Sequence, residues 1–251
     1  MENDKYLLSS VTNSIQILDL LGEEEMLGVA EISARLKMNK TSVFRYLYTL
    51  EAGGYVYKTA DAKYMLGKKF IYMASIVEER GNEFTHLRPL LVKLRDRVNE
   101  TVHLSILLPD LNLMFMEKVN TNQSFQMRSR VGYQMPAYQS GSGKVLLAGL
   151  LGTEREKELK HLRLIAKTEC TITDHAALME ELRLTRRRGY GEENGEAEEG
   201  LSCLAVPVQD YRGETVAAIS VSGLTIRLQE HQEAYLQALF ETEEEVEKTF
   251  K

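Results

Sequence analysis

The stretch NKTSVFRYLYTLEAGGYVYK, Asn39 to Lys58, constrains the fold most. Asn39 is a strong helix N-cap, and the residues after it place Val43, Leu47 and Leu50 on one side of a helix. Lys40, Thr41, Ser42, Arg45 and Tyr48 or Thr49 fall on the other side, where a packed core has no use for donors. Gly53 and Gly54 stop the helix. YVYK, a turn at Asp61-Ala62 and KYML then read as a β-hairpin ending at Gly67. Upstream, Val11, Ile15, Leu18 and Leu21 predict a first helix that breaks at Gly22, and Val29, Ile32 and Leu36 predict a short second one. Two helices joined across MNK, with Lys, Thr, Ser and Arg in the opening turns of the second, have the geometry in which a helix enters a major groove. At ~1.5 Å per residue that helix spans ~20 Å. Arg45 is placed to read guanine or to clamp a phosphate, and the hairpin forms a wing that sets Lys58 and Lys63 near backbone phosphates.

Charge distribution agrees with this placement. The whole chain carries a formal charge of -6, yet Arg35 to Lys69 holds eight basic residues against Glu51 and Asp61. Such a chain does not coat nucleic acid everywhere; it carries one basic face on an acidic body. No apolar run approaches ~18 residues, and MENDKYLLSS lacks the features of a signal peptide, so a cytoplasmic protein with no membrane contact is expected. Cys170 and Cys203 form no C-x-x-C pair, and the five histidines form no metal-ligand motif. No metal site or cofactor is expected.

The second half mixes strands and helices. FIYMASIVEER, with Phe70, Met73, Ala74 and Val77 at helical spacing before Gly81-Asn82, predicts a linker helix whose two apolar sides call for a partner. FTHLRPLLVKLRDRVNE predicts another helix. TVHLSILL, LNLMFMEKV and QSFQMRSRV read as three strands separated by turns at Pro109-Asp110 and Asn120 to Asn122. Helices follow at SGSGKVLLAGLL and Ala176 to Arg188, then strands LSCLAVPV and GETVAAISVSG, then a helix from Leu228 to Lys248. The class is α+β.

SGSGK invites comparison with phosphate-binding and acyl-transfer loops, and fails both. A P-loop would need glycine where Tyr138 stands and a hydroxyl where Val145 stands. G-x-S-x-G is absent, and the S-x-x-K register finds Gly141 in place of serine. Two readings stay open: a glycine-flanked helix start offering its N–H groups to a small anion, or a tight turn with Ser142 as N-cap.

EISARLKMNKTSVFRYLYTLEAGGYVYK with KYMLGKKF resembles the DNA-binding domain of the isocitrate lyase regulator (IclR) family of bacterial transcription factors, notably in the glycine pair and the Y-x-L-G at the end of the wing. RRRGYGEENGEAEEGLSCLAVPVQDYRGETVAAISVSG is similar to the family's C-terminal signature, and SGSGKVLLA to its helix start. The likeness covers almost the full chain. It implies a winged helix-turn-helix domain over 1–67, a linker helix over 68–82 and a GAF-like effector-binding domain over 83–251. It further implies a sequence-specific transcriptional regulator, expected to repress, and not an enzyme. The partners would be double-stranded operator DNA, a small organic or aromatic acid, and further copies of the chain in a homodimer or homotetramer.

On the DNA side the expected residues are Lys40, Thr41, Ser42, Arg45, Tyr46, Lys58 and Lys63. On the effector side the resemblance carries over to Gly141 and Ser142 at the helix start, Met127 on the preceding strand, and Glu193, Cys203, Ser220 and Ser222. Ser220 and Ser222, two apart, share one face of their strand, so their hydroxyls can converge with helix N–H groups on a carboxylate. Cys203 reads as a small buried residue, not a reactive thiol. Glu193 stands where the family usually has Asp and Tyr138 where many members have His. Apart from Glu193, the acidic run Glu192, Glu196, Glu198 and Glu199 fits a solvated loop as well as a pocket wall.

Overall fold

The computed structural model describes residues 6–79 and 84–249. The chain divides into two compact units, Met1–Asn82 and Glu83–Lys251.

In the first unit, α1 (Ser9–Glu23) is followed by β1 (Leu27–Gly28), α2 (Val29–Leu36) and α3 (Lys40–Ala52). The hairpin is β2 (Val56–Lys58) and β3 (Lys63–Leu66), and α4 (Lys69–Glu79) follows it. The strands pair antiparallel in the order β1-β3-β2. This is a winged helix-turn-helix. Ile17, Leu21, Ile32, Val43, Leu47, Val56 and Tyr64 form its core. Asn39 caps α3 as its side chain suggests, accepting from the Thr41 N–H at 2.8 Å. The buried stripe of α1 differs from the expected one. Ile17 and Leu21 go inside while Val11 and Ile15 stay exposed, because α2, α3 and β3 offer a core only to the C-terminal half of α1. Ile71, Tyr72, Met73 and Val77 of α4 are exposed. The expected stop at Gly81-Asn82 lies outside the described residues.

The second unit contains α5 (Arg88–Val98), β4 (Thr101–Leu107), β5 (Asn112–Val119), β6 (Gln134–Pro136), α6 (Gly141–Gly149) and α7 (His175–Arg188). It continues through β7 (Gly191–Asn194), β8 (Leu201–Gln209), β9 (Thr215–Leu224), α8 (Thr225–Glu230) and α9 (Gln232–Glu247). Six strands form an antiparallel sheet in the order β6-β5-β4-β9-β8-β7. Side chains alternate between its faces. Val102, Leu104, Leu204, Val206, Ile219 and Val221 pack with Leu91 and Leu94 of α5 and Leu239 of α9. The intervening residues His103, Ser105, Cys203, Ala205, Ala218, Ser220 and Ser222 take the opposite face, over which α6 and α7 pack through Val145, Leu146, Leu178 and Leu182. The result is a GAF-like α+β domain.

Two expectations change here. QSFQMRSRV is not a strand: the segment is irregular, and the Lys118 ammonium takes the carbonyls of Met127 (2.7 Å) and Ser129 (2.6 Å) that a ladder would have used. The final helix begins earlier than Leu228 and is two helices, α8 and α9, broken at His231. The strand β7, inside the acidic run, has no counterpart in the sequence reading.

Candidate functional site

A cavity of about 410 Å³ lies against the small, polar face of the large sheet. Strand register brings Glu193, Cys203, Ser222, Ser220 and His103 together at its floor, from two adjacent rows of the sheet. One row across the sheet is Glu193, Cys203, Ser222 and Thr101; the next is Gly191, Ala205, Ser220, His103 and Lys118. The start of α6 contributes Ser140 and Ser142, and the irregular segment after β5 contributes Phe125, Met127 and Arg128. Of the residues expected at the effector site, Met127, Ser142, Glu193, Cys203, Ser220 and Ser222 line this cavity. Met127 does so from a loop, not from a strand. Gly141 does not line it: a Cβ there would lie 2.9 Å from the Cys203 carbonyl and 3.2 Å from that of Gly191, so this glycine lets α6 approach the sheet.

The SGSGK segment resolves in an unexpected way. Ser140, not Ser142, caps α6, its hydroxyl accepting from the Gly143 N–H at 3.0 Å. Lys144 is almost fully buried and donates to the Glu192 carbonyl at 2.9 Å and to the Glu196 carboxylate. The lysine that suggests an external anion is therefore matched by the protein's own. Glu193 sits beside this pair. One of its oxygens accepts from the N–H groups of Glu196 (2.5 Å) and Ala197 (3.2 Å). Burial pushes its carboxyl up to about 7, against the pull of those two N–H groups.

At the other side of the floor, the buried His103 ring stacks on Phe115 with centroids 4.3 Å apart, and Phe115 stacks on Tyr133 at 6.2 Å. Its Nε2 lies 2.8 Å from Ser129 Oγ. Burial, then the neighbouring Lys118 charge, hold His103 down at about 3, so the imidazole is neutral. The Ser220 hydroxyl, next to His103 in register, is buried and has no hydrogen-bond partner among the protein's own groups. Burial pushes the Cys203 thiol up, which makes it a cavity wall and not a nucleophile. Tyr138, where many members of the resembled family carry His, is buried and holds the Ile165 backbone through both its N–H (2.7 Å) and its carbonyl (3.0 Å).

Sequence reasoning missed several lining residues. His103 left a signal, a polar residue alternating with Thr101 and Ser105 between the apolar Val102, Leu104 and Ile106. Arg128 and Lys167 come from irregular segments and left none. Among the described residues no group of His, Cys, Asp and Glu side chains could hold a metal ion, and no helix is long and apolar enough to cross a membrane.

The shifts of Glu193 and His103 act oppositely on stability. Glu193 stabilises the folded form fully below pH 4.5 and loses that contribution as pH rises through about 7; His103 costs stability as pH falls from 6.5 to about 3. Glu193→Gln keeps the amide oxygen for both N–H groups, so it is expected to gain up to about 3 kcal/mol over the parent at pH 8 and little at pH 4. Urea unfolding at the two pH values checks this, and an equal effect at both would remove the ionised Glu193 as its cause.

In the first unit, Lys40, Thr41 and Arg45 are exposed on α3 and Ser42 is half-buried. Lys58 is exposed on the wing and Lys63 half-buried. Tyr46 is half-buried, packed against the core of this unit, and its hydroxyl accepts from Asn13 of α1 at 3.2 Å. The exposed aromatics of α3 are Phe44 and Tyr48.

Comparison with known proteins gives matches along nearly the whole chain. The IclR helix-turn-helix domain family matches residues 10–60, and the bacterial transcriptional regulator IclR C-terminal family matches residues 80–248. The HTH-type transcriptional regulator KdgR of Escherichia coli is 36% identical over 224 residues, 89% of this chain and 85% of that protein. The transcriptional repressor IclR of the same organism is 27% identical, over 88% of this chain and 82% of its own. Among solved structures, the Thermotoga maritima IclR aligns with a TM-score of 0.75 at 33% identity, covering 96% of this chain and 98% of the other. An IclR homolog from Microbacterium hydrocarbonoxydans, complexed with 4-hydroxybenzoate, aligns with a TM-score of 0.77 at 25% identity and the same coverage.

Proposed function

The chain belongs to the IclR family of bacterial transcriptional regulators, DNA-binding proteins and not enzymes, and on that premise we propose that it is a cytoplasmic repressor released or retained by a small organic or aromatic acid. The observation that carries the effector side is the cavity itself. Its floor offers hydroxyls from Ser220 and Ser222 beside the α6 start, its wall is the Phe115–Tyr133 stack, and Arg128 and Lys167 add positive charge among its lining. An acid group with an apolar body complements that lining. The 4-hydroxybenzoate bound by the homologue supports this class. A repressor among its relatives supports the direction of control. The exposed apolar residues of α4 support assembly of copies into a dimer or tetramer, which gives two wings for two half-sites.

Lys40, Thr41, Ser42 and Arg45 form the base-facing side of this reading, and Lys58 and Lys63 the phosphate-facing side. Arg45→Ala is expected to weaken operator binding by about 1–3 kcal/mol and to relax sequence preference, while Lys58→Ala weakens all sequences alike and lowers the salt slope by about one. Titrations of operator and scrambled duplexes at several salt concentrations check both. Unchanged affinity in both variants would refute the DNA-facing assignment. For the cavity, 4-hydroxybenzoate at ~100 times its dissociation constant should add ~2.7 kcal/mol to the stability of the protein.

A further inference from the structure

On α3, burial of Val43 and Leu47 fixes which side faces the core. Thr41, Arg45 and Tyr48 then occupy the opposite side, with Phe44 on its flank. Phe44 is 47% exposed and Tyr48 66% exposed, and the two rings stack on each other with centroids 6.4 Å apart and 30° between planes. A ring pair at i and i+4 left in water contributes little to the fold, since neither ring joins the core of this unit. Its surroundings indicate a polyanion: Lys40 and Arg45 share the exposed surface, and Glu51, in the last turn, is the only acid within the helix. The feature of a DNA major groove that an aromatic side chain complements is the C5-methyl group of thymine; the remaining base edges there are hydrogen-bonding groups.

We propose that Phe44, held in place by its stack on Tyr48, reads a thymine methyl group in each operator half-site. The proposal rests on α3 being the DNA-recognition helix and adds to it an aromatic contact beside the polar groups of Lys40, Thr41, Ser42 and Arg45. It makes Phe44 a specificity-determining residue and Tyr48 its positioning neighbour.

The test uses the full chain and a duplex selected from a random pool for tight binding. Each thymine of the half-site is replaced in turn by deoxyuridine, which removes the methyl and nothing else. The parent protein should lose about fourfold to tenfold in affinity at one position per half-site, the scale of one buried methyl contact. Phe44→Ala should bind the thymine duplex more weakly by a similar factor and be indifferent to uracil at that position, while Phe44→Leu keeps part of the discrimination. Because Phe44 is outside the core, both variants should melt as the parent does.

A uracil scan that is flat for the parent protein overturns the proposal, as does a uracil penalty that survives in Phe44→Ala. It is also overturned if Phe44→Ala changes sedimentation and leaves DNA affinity intact, which would assign the ring pair to a protein contact. A flat scan with Arg45→Ala still weakened leaves α3 as the recognition helix and removes only the methyl contact. If Arg45→Ala, Lys58→Ala and Phe44→Ala all bind as the parent does, the helix assignment itself fails.

Discussion

Replacing Lys144 by Met is expected to destabilise the second unit by about 3–5 kcal/mol at neutral pH, the range seen when one member of a buried ion pair is removed. Lys144 has 2% of its surface exposed and its partner Glu196 is also buried. One Glu196 oxygen already lacks a hydrogen-bond partner, so removing the ammonium takes away the main group that compensates the carboxylate. Burial raises the Glu196 pKa even with Lys144 present, and without it protonation becomes the cheapest remedy. The defect should therefore shrink as pH falls and Glu196 takes up a proton, because a folded-state pKa raised above the unfolded value favours folding on the acid side. Adding Glu196→Gln to Lys144→Met should recover much of the loss at pH 8. Urea unfolding of the parent, the single and the double variant at pH 5 and pH 8 decides it. A single variant within ~1 kcal/mol of the parent at pH 8 would show that the pair contributes little.

The second large effect is expected from Gly143→Ala. A Cβ on Gly143 would lie 1.8 Å from the carbonyl oxygen of Ala137 and 2.4 Å from its carbon. Those are backbone atoms of the turn that leads into α6, so no side chain can swing aside to relieve the clash. The loss should reach or pass the upper end of ordinary overpacking, about 3 kcal/mol, or a fall in melting temperature of about 6–12 °C for a unit of this size. Gly141→Leu should behave in the same way and not as a selective block of the cavity, since its side chain would enter the backbone of β7 and β8. Melting curves and 4-hydroxybenzoate titrations of the two variants check this. A normal melt for Gly143→Ala would mean that the turn before α6 yields more easily than its geometry indicates.

The winged helix was legible because its signals are local. Asn39 caps, Gly53-Gly54 stops, and the Val43–Leu47 spacing orients α3 without reference to distant residues. The register of α1 was not, since Val11–Ile15 and Ile17–Leu21 have the same spacing and only the presence of a core decides between them. The Tyr46 environment was not legible either: it lies at the edge of the buried stripe, and the Asn13 amide that bonds its hydroxyl is on another helix. In the second unit the family resemblance pointed to Ser220, Ser222 and Cys203, and the two-residue spacing of the serines set their hydroxyls on one face of the strand. Strand-like composition also suggested a strand at Gln123 to Val131, where the Lys118 ammonium holds the carbonyls of Met127 and Ser129. The SGSGK loop stayed open between an anion site and a turn because the partner of its lysine, Glu196, lies 52 residues further on. Nothing in a local pattern links the two.

Along β4, β8 and β9, neighbouring residues belong to separate layers: Val102 and Leu104 flank His103, Leu204 and Val206 flank Ala205, and Ile219 and Val221 flank Ser220. Inheritance can act on these layers one codon at a time. On the proposed reading of the cavity as the effector site, a missense change at His103, Ser220 or Ser222 would retune the compound to which genes respond while the adjoining codons keep the sheet folded. Descendants of this chain can thus drift from one chemical signal to another through viable intermediates, with the promoter-reading unit, built on its own core, unaltered throughout.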